Sequence, residues 1–493
     1  MVNQSPILRR IATVCVTFCA LLLNAAALAG ESPYAVGNTT RFIHDETRGY
    51  DATGGVPGGV RTLITEIWYP VDHSAITANS KHATYGDYVF GDREMHRRMM
   101  TATTFFHLTT TSVREGVTQA QIDNAIDDLF SRPRNSYVEA PLTAGTKPLP
   151  VVVMTHGDAG SRYNMETTCE YLAAHGYIVI APEHTGNSPY AMTGRDPALD
   201  KVSGDEQLRA KMQAVLPLLD KDGSYGDPAT YGQSYTPLGE EGFTPKGYAQ
   251  LNAALMQRVN DLRATLKELE SLNNQSKFSD RIDMDRIGLM GRSFGGATTL
   301  AGLMLEDRFK AGMAVVPPSI PDPRSSLPPE VLRPAGEESA MLSRNGRYAL
   351  GELRKPTLLL SGGEDALIMG IAKQLAISSE TLPRPDNRHP ILRQAFEQAD
   401  VPALFGVLDN ANHGSLGVAG PYWWPQLKPN RFPQFFAADK SYTLIEPALA
   451  HRIQSEKALA FFDYFVKGDE TSKGRLVSNQ YVEAGLHWEH RNL

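Results

Sequence analysis

Short, continuous runs of apolar residues recur along the chain, and the segments between them carry apolar residues every three or four positions. Continuous runs are typical of strands buried on both faces of a parallel sheet, and the intervening spacing is typical of helices. Their alternation predicts an α/β fold, with a mostly parallel central sheet and helices on both faces. The predicted strands are residues 62–69, 151–154, 177–181, 287–290, 313–316, 357–360 and 404–408.

Three segments carry the helical pattern most clearly. Thr118 and Gln121 have the spacing of a capping box ahead of an apolar stripe over residues 122–130. A second helix is predicted over residues 256–272, and a C-terminal helix is predicted to start at Ser455. We expect these apolar stripes to pack on the core.

Two long segments, residues 187–250 and 317–352, do not fit the repeating strand-helix unit because they are rich in Gly, Pro, Tyr and charge. No Gly/Ser-rich or Pro-rich linker divides the chain, so we expect a single domain over residues 30–493 that contains both segments as insertions. Long structured insertions after strand ends commonly form a lid or one wall of a binding site.

Residues 1–29 have the pattern of a secretory signal peptide, with Arg9 and Arg10 ahead of an apolar run. The run is followed by a cleavage motif of mostly small residues, Ala27-Leu28-Ala29. A membrane anchor is the alternative, but the apolar run is short for a membrane span and Asn24 ends it. We therefore expect an exported protein, periplasmic or extracellular, with no membrane span after cleavage. The pair Arg9 and Arg10 leaves the export route open.

Cysteine content and charge narrow the expected partners. Cys15 and Cys19 lie in the predicted signal peptide, which leaves Cys169 alone and predicts no internal disulfide. Cys169 follows an apolar helical pattern, so we expect a buried hydrophobic side chain rather than a reactive thiol. Removing the two signal-peptide arginines changes the formal net charge from −7 to −9. This mild acidity argues against nucleic acid or an anionic membrane as the main partner.

The pentapeptide Gly291-Arg292-Ser293-Phe294-Gly295 joins a predicted strand to a stretch of small residues. A serine at the apex of a strand-turn-helix unit is the pattern of a nucleophile elbow. Glycines two positions to either side leave room for a tight turn that holds the serine in a strained conformation. Ser293 is therefore the predicted nucleophile, and an ordinary structural turn is the alternative.

A serine nucleophile needs a base, and the base needs an orienting acid. Asp365 follows the predicted strand at 357–360, and His413 follows the strand at 404–408 within an Asn/Gly turn. The chain order Ser293, Asp365, His413 is the order found in α/β hydrolases. We therefore predict His413 as the base and Asp365 as the acid.

Glu364 is the alternative to Asp365 as the acid, and His184 is the alternative to His413 as the base. Glu364 directly precedes Asp365, and adjacent side chains on an extended strand end point in opposite directions, so only one can reach His413. We choose Asp365, because the turn from Gly362 carries it one step further around the loop. His184, near the same sheet edge, is the main rival to His413, although a loop-fixing hydrogen bond explains it equally well.

An ester-cleaving site must also stabilise an oxyanion. The strand at 151–154 runs into a His-Gly turn, from which we expect the backbone N–H of Asp158 to point at the reaction centre. The second predicted donor is the N–H of Phe294, directly after the nucleophile. His156 is expected to brace the turn rather than to move protons.

We predict no cofactor and no metal site. No His/Cys/Asp cluster has metal-ligand spacing, and no Gly-rich phosphate or dinucleotide loop follows a strand. Asp220, Asp222 and Asp227 suggest calcium, but the glycine is misplaced for a helix-loop-helix site. We expect a solvated acidic loop there.

These motifs together resemble the α/β-hydrolase superfamily, within it the branch of platelet-activating-factor acetylhydrolases and dienelactone-hydrolase-like proteins. The resemblance covers most of residues 33–467 apart from the two insertions. It implies hydrolysis of carboxylic esters, often with short or oxidised acyl groups, through an acyl-enzyme and without a metal. The segments that carry it are Tyr34-Ala35-Val36-Gly37, Glu66-Ile67-Trp68-Tyr69-Pro70, Thr155-His156-Gly157, Ala173-Ala174-His175-Gly176-Tyr177-Ile178-Val179, Glu183-His184 and residues 291–298.

The chain departs from this branch at three points. Arg292 stands where the branch usually carries histidine. The acetylhydrolases take their acid just after the strand that follows the nucleophile helix, where this chain has Val315, Val316 and Pro317. Dienelactone hydrolases proper use a cysteine nucleophile, so lactone specificity is not implied here.

The leading hypothesis is a secreted serine esterase that is lipase-like and takes a small-molecule or lipid ester. A peptidase or an acyltransferase on the same fold is the rival among enzymes, and a catalytically inactive ligand-binding relative is the rival from another class. Five aromatic residues after His413 are candidates for an acyl pocket or for plain core, namely Trp423, Trp424, Phe432, Phe435 and Phe436.

Overall fold

The computed structural model describes residues 32–89, 117–188, 206–214, 241–427 and 431–493, with isolated positions between 94 and 101. The predicted signal peptide, the three aspartates considered for calcium and most of the first insertion lie outside the described residues. The described strands are β1 Ala35–Asp45, β2 Arg61–Val71, β3 His82–Thr84, β4 Pro133–Val138, β5 Leu149–Thr155, β6 Ile178–Pro182, β7 Ile282–Arg292, β8 Phe309–Val315, β9 Thr357–Gly362, β10 Ala403–Leu408, β11 Phe432–Pro433, β12 Ser441–Tyr442 and β13 Leu486–Arg491. The described helices are α1 Gln119–Ser131, α2 Glu166–Ala174, α3 Glu206–Gln213, α4 Pro245–Gln275, α5 Phe294–Leu305, α6 Ala366–Gln374, α7 Pro390–Glu397, α8 Pro447–Phe462 and α9 Lys473–Val477.

One large sheet organises the molecule, with the strand order β13-β10-β9-β8-β7-β5-β6-β2-β1-β4-β3. From β10 to β6 neighbouring strands are parallel, whereas β2 and β13 continue the sheet in the antiparallel sense. All seven predicted strands are present, and the predicted α/β fold with a mostly parallel sheet is confirmed. Because the central strands are parallel, their carboxyl ends lie along the same edge.

The central strands are apolar at successive positions because both faces of the sheet are covered. In β9, Leu358 and Leu360 join one buried cluster with α2 and α8, whereas Leu359 joins another with α4 and α5. Side chains alternate between the two faces of a strand, so each face needs its own apolar residues.

The helix predictions are confirmed at one end of the chain and corrected at the other. Thr118 caps α1, and its capping box with Gln121 is formed. The C-terminal helix starts at Pro447 rather than at Ser455, because Glu446 and Pro447 begin it two turns earlier. Its extra turns carry polar residues such as His451, which hid the apolar period.

The outer strands were not predicted from the apolar runs. β1 and β13 carry polar residues at most positions, as strands near a sheet edge often do. His487 of β13, for example, pairs with Val407 of β10 in the antiparallel sense.

The second segment that interrupts the repeating unit, residues 317–352, packs against the long helix α4. Ser339 Oγ donates to Asn252 Oδ1 at 2.9 Å, and the N–H of Met341 donates to the same oxygen at 3.0 Å. Within the described parts of the chain, no helix is both long enough and apolar enough to cross a bilayer.

Candidate active site

Ser293 lies at the tight turn between β7 and α5. Its φ of 56° and ψ of −124° are strained for a residue with a side chain, and its N–H donates to the carbonyl of Val315 at 2.8 Å. Strain of this kind persists only where the surroundings hold it. The turn leaves Ser293 partly exposed while its neighbours are buried.

The glycines of the elbow are required by close backbone approach. A Cβ on Gly295 would lie 2.1 Å from the carbonyl oxygen of Thr155, and one on Gly291 would lie 2.3 Å from that of Gly295. Neither neighbour is a flexible side chain, so no larger residue fits. The end of β5 and the elbow therefore meet without intervening side chains.

His413 faces Ser293 across the carboxyl edge of the sheet. Its Nε2 lies 3.0 Å from Ser293 Oγ, and its Nδ1 lies 2.8 Å from Asp365 Oδ2. The loop that carries it is fixed by Asn412, whose Oδ1 accepts hydrogen bonds from the Gly414 N–H at 3.0 Å and from Ser415 Oγ at 3.1 Å. The three residues predicted as nucleophile, base and acid are thus joined by two hydrogen bonds.

Asp365 uses both of its carboxylate oxygens. One oxygen meets His413, and the other caps α6 by accepting the N–H of Ile368 at 3.1 Å. The side chain is fully buried. Burial by itself raises the pKa of Asp365, but His413 and the Ile368 N–H outweigh it and hold the pKa below its usual value.

Glu364 points away from His413 and has a different contact. Its carboxylate accepts the backbone N–H of Phe435 at 3.0 Å, which ties the segment after His413 to the end of β9. Gly362, at the end of β9, lies close to the chain just before His413. A Cβ on Gly362 would be 2.5 Å from the carbonyl oxygen of Ala411. The two neighbouring acids therefore have separate partners.

The turn after β5 packs directly on the serine. A Cβ added to Gly157 would lie 3.1 Å from Ser293 Cβ and 3.6 Å from Ser293 Oγ. Asp158 follows Gly157 in the chain, and Phe294 follows Ser293 as the first residue of α5. Each predicted oxyanion donor is thus next in the chain to one of two residues that pack together.

His184, the rival base, is buried on the far side of this turn. Its Nε2 lies 2.7 Å from Thr155 Oγ1 and its Nδ1 lies 2.9 Å from Asp261 Oδ2. Its backbone N–H donates to His156 Nε2 at 2.9 Å. Both ring nitrogens of His184 make these contacts. They agree with the interpretation that His184 fixes the loop after β6 by hydrogen bonding.

Two charged residues of α4 that the sequence analysis did not single out lie buried near the turn after β5. Arg258 donates to the carbonyls of His156 and Gly157, and Asp261 pairs with Arg61 through bonds of 3.0 and 2.7 Å. Opposite charges three positions apart on an otherwise apolar helix face were the available signal.

Arg292, which precedes the nucleophile, is buried beneath the base. It donates to the carbonyl of His413, and a Cβ on Gly417 would lie 2.4 Å from its Nε. Burial lowers its pKa to about 10, although Asp365 opposes that shift. The departure from histidine at this position thus places a cation against the loop that carries His413.

The aromatic candidates divide into two groups. Trp423 and Trp424 are fully buried in a cluster with Tyr85, Tyr88 and Tyr163, which is the core alternative. The remaining three lie in the segment that Glu364 holds, where Phe436 is the most exposed, at 36%.

Among the residues that the structure describes, no group of three or more His, Cys, Asp or Glu side chains is arranged to hold a metal ion.

Cys169 is buried and unpaired in α2. Val316, where the acetylhydrolase branch carries its acid, has a φ of 41°, and its N–H donates to the Leu360 carbonyl at 2.7 Å.

Part of the chain matches a known protein family. A family model described as platelet-activating factor acetylhydrolase, isoform II, matches residues 59–215 and 250–321. The matched ranges include Asp158, Ser293 and Phe294 but end before Asp365 and His413.

Several proteins named platelet-activating factor acetylhydrolase share this similarity, and two of them are compared with the chain as follows. The chain is 26% identical over 173 residues to a platelet-activating factor acetylhydrolase of Gallus gallus, covering 34% of this chain and 38% of that protein. It is 27% identical over 177 residues to the Bos taurus protein of the same name, covering 36% of each. The aligned part thus spans less than two fifths of either relative.

Among solved structures, a ferulic acid esterase from Streptomyces cinnamoneus is similar to this chain, with a TM-score of 0.53 and 17% sequence identity. The superposition covers 93% of this chain and 97% of the esterase chain. This likeness concerns the fold, and it confirms the α/β-hydrolase architecture. The resemblance to the platelet-activating-factor acetylhydrolase branch is likewise confirmed.

Proposed function

Because the chain has the α/β-hydrolase fold and resembles the platelet-activating-factor acetylhydrolases, we propose that it is a serine hydrolase that cleaves carboxylic esters. The observation that carries the proposal is the pair of hydrogen bonds from Ser293 to His413 and from His413 to Asp365. A serine, a base and a buried acid in this geometry form the unit that activates a hydroxyl for attack on a carbonyl.

The reaction follows from these contacts. His413 Nε2 takes the proton of Ser293 Oγ as that oxygen bonds to the ester carbonyl carbon, and Asp365 holds the His413 Nδ1–H toward itself. The resulting imidazolium then protonates the leaving alcohol, which leaves an acyl group on Ser293. Water, deprotonated by His413, attacks the acyl carbonyl, and the imidazolium returns its proton to Ser293 Oγ as the carboxylic acid is released.

The negative charge on the tetrahedral intermediate requires donors next to the serine. We assign this role to the backbone N–H groups of Asp158 and Phe294. The support is the packing of the 157–158 turn on the nucleophile and the position of Phe294 at the start of α5, where N–H groups lack helical partners.

The proposed substrates are esters with a short acyl group or a lipid-like body. The similarity to proteins named acetylhydrolases supports the short acyl group. A peptidase or an acyltransferase would share the acyl-enzyme, and they differ in whether an amide is cleaved or an alcohol replaces water.

The test is covalent labelling of Ser293 together with hydrolysis. A fluorophosphonate should label the protein stoichiometrically and abolish hydrolysis of p-nitrophenyl acetate. Ser293→Ala should remain folded, lose the label and lose about 10⁴-fold or more in kcat, because the triad acts as a unit. Labelling that persists in the variant would identify another nucleophile.

A substrate panel separates the ester classes. Acetyl, butyryl and octanoyl esters of p-nitrophenol, a phospholipid with a short acyl chain, and methyl ferulate should differ in kcat/KM, and we expect the short acyl esters to lead. Preferential cleavage of a peptide p-nitroanilide would favour the peptidase instead.

We also propose that the protein is exported, on the signal-peptide pattern of residues 1–29. N-terminal sequencing of the protein from culture fractions should give a mature chain that starts after Ala29. A full-length chain retained in the cytoplasm would contradict the proposal.

A further inference from the structure

Arg258 of α4 contacts the turn after β5, residues 156–158, which we call the oxyanion turn because it carries the proposed donor Asp158. The side chain is fully buried, and it donates to the carbonyl oxygens of His156 and Gly157, the latter at 3.1 Å. It also donates to Asn187 Oδ1, and the Asn187 amide in turn donates to the Asp158 carboxylate at 2.7 Å. The turn is thus held at both its backbone and its side chain.

The contact with Gly157 has a direct chemical consequence for Asp158. The carbonyl of Gly157 and the N–H of Asp158 belong to one peptide group, which is planar and trans, so they point in opposite directions. A cation on the carbonyl side therefore sets the direction of the N–H. It also draws electron density from the amide and makes the N–H a stronger donor.

A second donor meets the same carbonyl. His156 Nε2 accepts the backbone N–H of His184 at 2.9 Å, so the ring proton must be on Nδ1, 2.7 Å from the Gly157 oxygen. Burial and the nearby Arg258 charge keep the pKa of His156 well below its usual value, so the ring is neutral with this one proton. The Gly157 carbonyl thus accepts from His156 and Arg258 together.

The same guanidinium also touches the other half of the oxyanion site. Its central carbon lies 4.6 Å from the centre of the Phe294 ring, within the range of a cation–π contact. Arg258 is therefore in contact with the residues that carry both assigned donors, Asp158 through its peptide group and Phe294 through its ring.

We propose that Arg258 is a positioning residue that orients and polarises the Asp158 N–H toward the developing oxyanion and fixes Phe294 beside it. This inference rests on the proposed serine-hydrolase function. Because the oxyanion forms only during reaction, the effect belongs to the transition state rather than to substrate binding.

The experiment compares Arg258→Met, which keeps the bulk without the charge, with Arg258→Lys, which keeps the charge without the fork. Arg263→Gln on the same helix is the matched control, because Arg263 pairs with Glu338 at the surface. Active sites are counted by fluorophosphonate labelling taken to completion, so that kcat is expressed per reactive serine.

We expect Arg258→Met to lower kcat per site by about 10²-fold with little change in KM, the scale of losing one oxyanion donor. Arg258→Lys should lose roughly tenfold, because a single ammonium cannot bridge two carbonyls in the geometry of a guanidinium. The affinity for a trifluoromethyl ketone, which forms a tetrahedral adduct on the serine, should weaken by the same factor as kcat/KM. Arg263→Gln should retain the wild-type values.

A scaffold role alone would give fewer labelled sites with an unchanged kcat per site, and this result overturns the proposal. If Arg258→Met fails to fold, Arg258→Lys decides, since an unchanged kcat per site and ketone affinity in that variant also overturn it. A wild-type protein that is neither labelled nor active on esters would instead refute the proposed function itself.

Discussion

The loops that carry Asp365 and His413 are capped mainly by groups two or three residues away, with Arg292 and Glu364 as longer-range contacts. The turn that carries Asp158 is instead held mainly by side chains from distant segments. Asp365 caps the N–H of Ile368, three positions on. Arg258, by contrast, is 102 positions from the His156 carbonyl that it binds. The acid-base side thus rests mainly on local turns, and the proposed oxyanion side rests mainly on a buried charge network that forms only in the assembled fold.

This difference predicts how each side fails. Disrupting a local turn should affect the chemistry and leave the fold intact, because few other contacts depend on it. Disrupting the network should reduce the stability of the whole domain, because charges buried without partners are costly.

The largest expected effect is on the acid-base side. Asp365→Asn should lower kcat by roughly 10³ to 10⁴-fold, about 4 to 5.5 kcal/mol, because the amide favours the wrong tautomer of His413. Asparagine can still cap Ile368, so the free energy of unfolding should change little. Steady-state kinetics and urea unfolding check both parts.

Glu364→Gln is the matched control, because it lies next to Asp365 and its contact is to the Phe435 N–H rather than to His413. It should cost far less activity. Equal or greater damage from Glu364→Gln would mean that the acid has been misassigned.

The next effect is on the oxyanion side. Asp261 is fully buried and faces Arg61 at 2.7 Å, Arg48 at 2.8 Å and His184 at 2.9 Å. Asp261→Asn should lower the free energy of unfolding by about 3 to 5 kcal/mol, because it leaves the buried Arg61 and the partly buried Arg48 without their carboxylate. Urea denaturation monitored by tryptophan fluorescence measures this.

The control for this variant is Asp128→Asn, which removes an exposed pair with Arg132 and should cost less than about 1 kcal/mol. A loss for Asp261→Asn as small as that of the control would refute the network as a source of stability.

A smaller effect follows from pH. Burial and then the charge of Arg258 lower the pKa of His184 to about 4, whereas its unfolded value is roughly 6.5. Between these values the unfolded chain binds more protons, so the stability from His184 is complete above pH 6.5 and is lost as the pH falls toward 4. The destabilisation caused by His184→Gln should therefore be about 2 kcal/mol smaller at pH 5 than at pH 8.

Unfolding free energies of both proteins at the two pH values test this prediction, with His73→Gln as the control for loss of an exposed histidine. A destabilisation by His184→Gln that is the same at both pH values would show that His184 is not held neutral in the fold.

The same contrast explains what the sequence could predict. Ser293, Asp365 and His413 stand in short motifs whose glycines and asparagines serve turns of a few residues, and the order of strands brings the three motifs to one edge. Arg258 and Asp261 lie within a predicted apolar helix, and their partners come from β2 and from the loops after β5 and β6. Only the folded chain brings those groups together, so the pattern of α4 indicated a helix but not its charged contacts.

The strands show a related limit. Central strands such as β9 contain runs of successive apolar residues, here Leu358 to Leu360, because both faces are covered, and these runs predict strands from the sequence. β1 and β13 have polar positions because they lie toward the edges of the sheet, and Ser455 was chosen as a helix start because the first turns of α8 contain polar residues. In each case, the apolar pattern predicted the covered part of an element and missed the part with polar contacts.

The smallest expected effect returns to the local side. Asn412 caps the turn that begins at His413, through the Gly414 N–H and Ser415 Oγ. Asn412→Ala should lower the free energy of unfolding by about 1 kcal/mol, the usual cost of a lost cap, and raise the mobility of His413. Because the Ser293–His413 contact depends on that turn, kcat should fall by a larger factor than the loss of stability alone accounts for, while Asn412→Asp, which preserves the cap acceptor, should restore most of both. A stability loss as large as that of Asp261→Asn would mean that the acid-base side is not locally held, and the distinction between the two sides would fail.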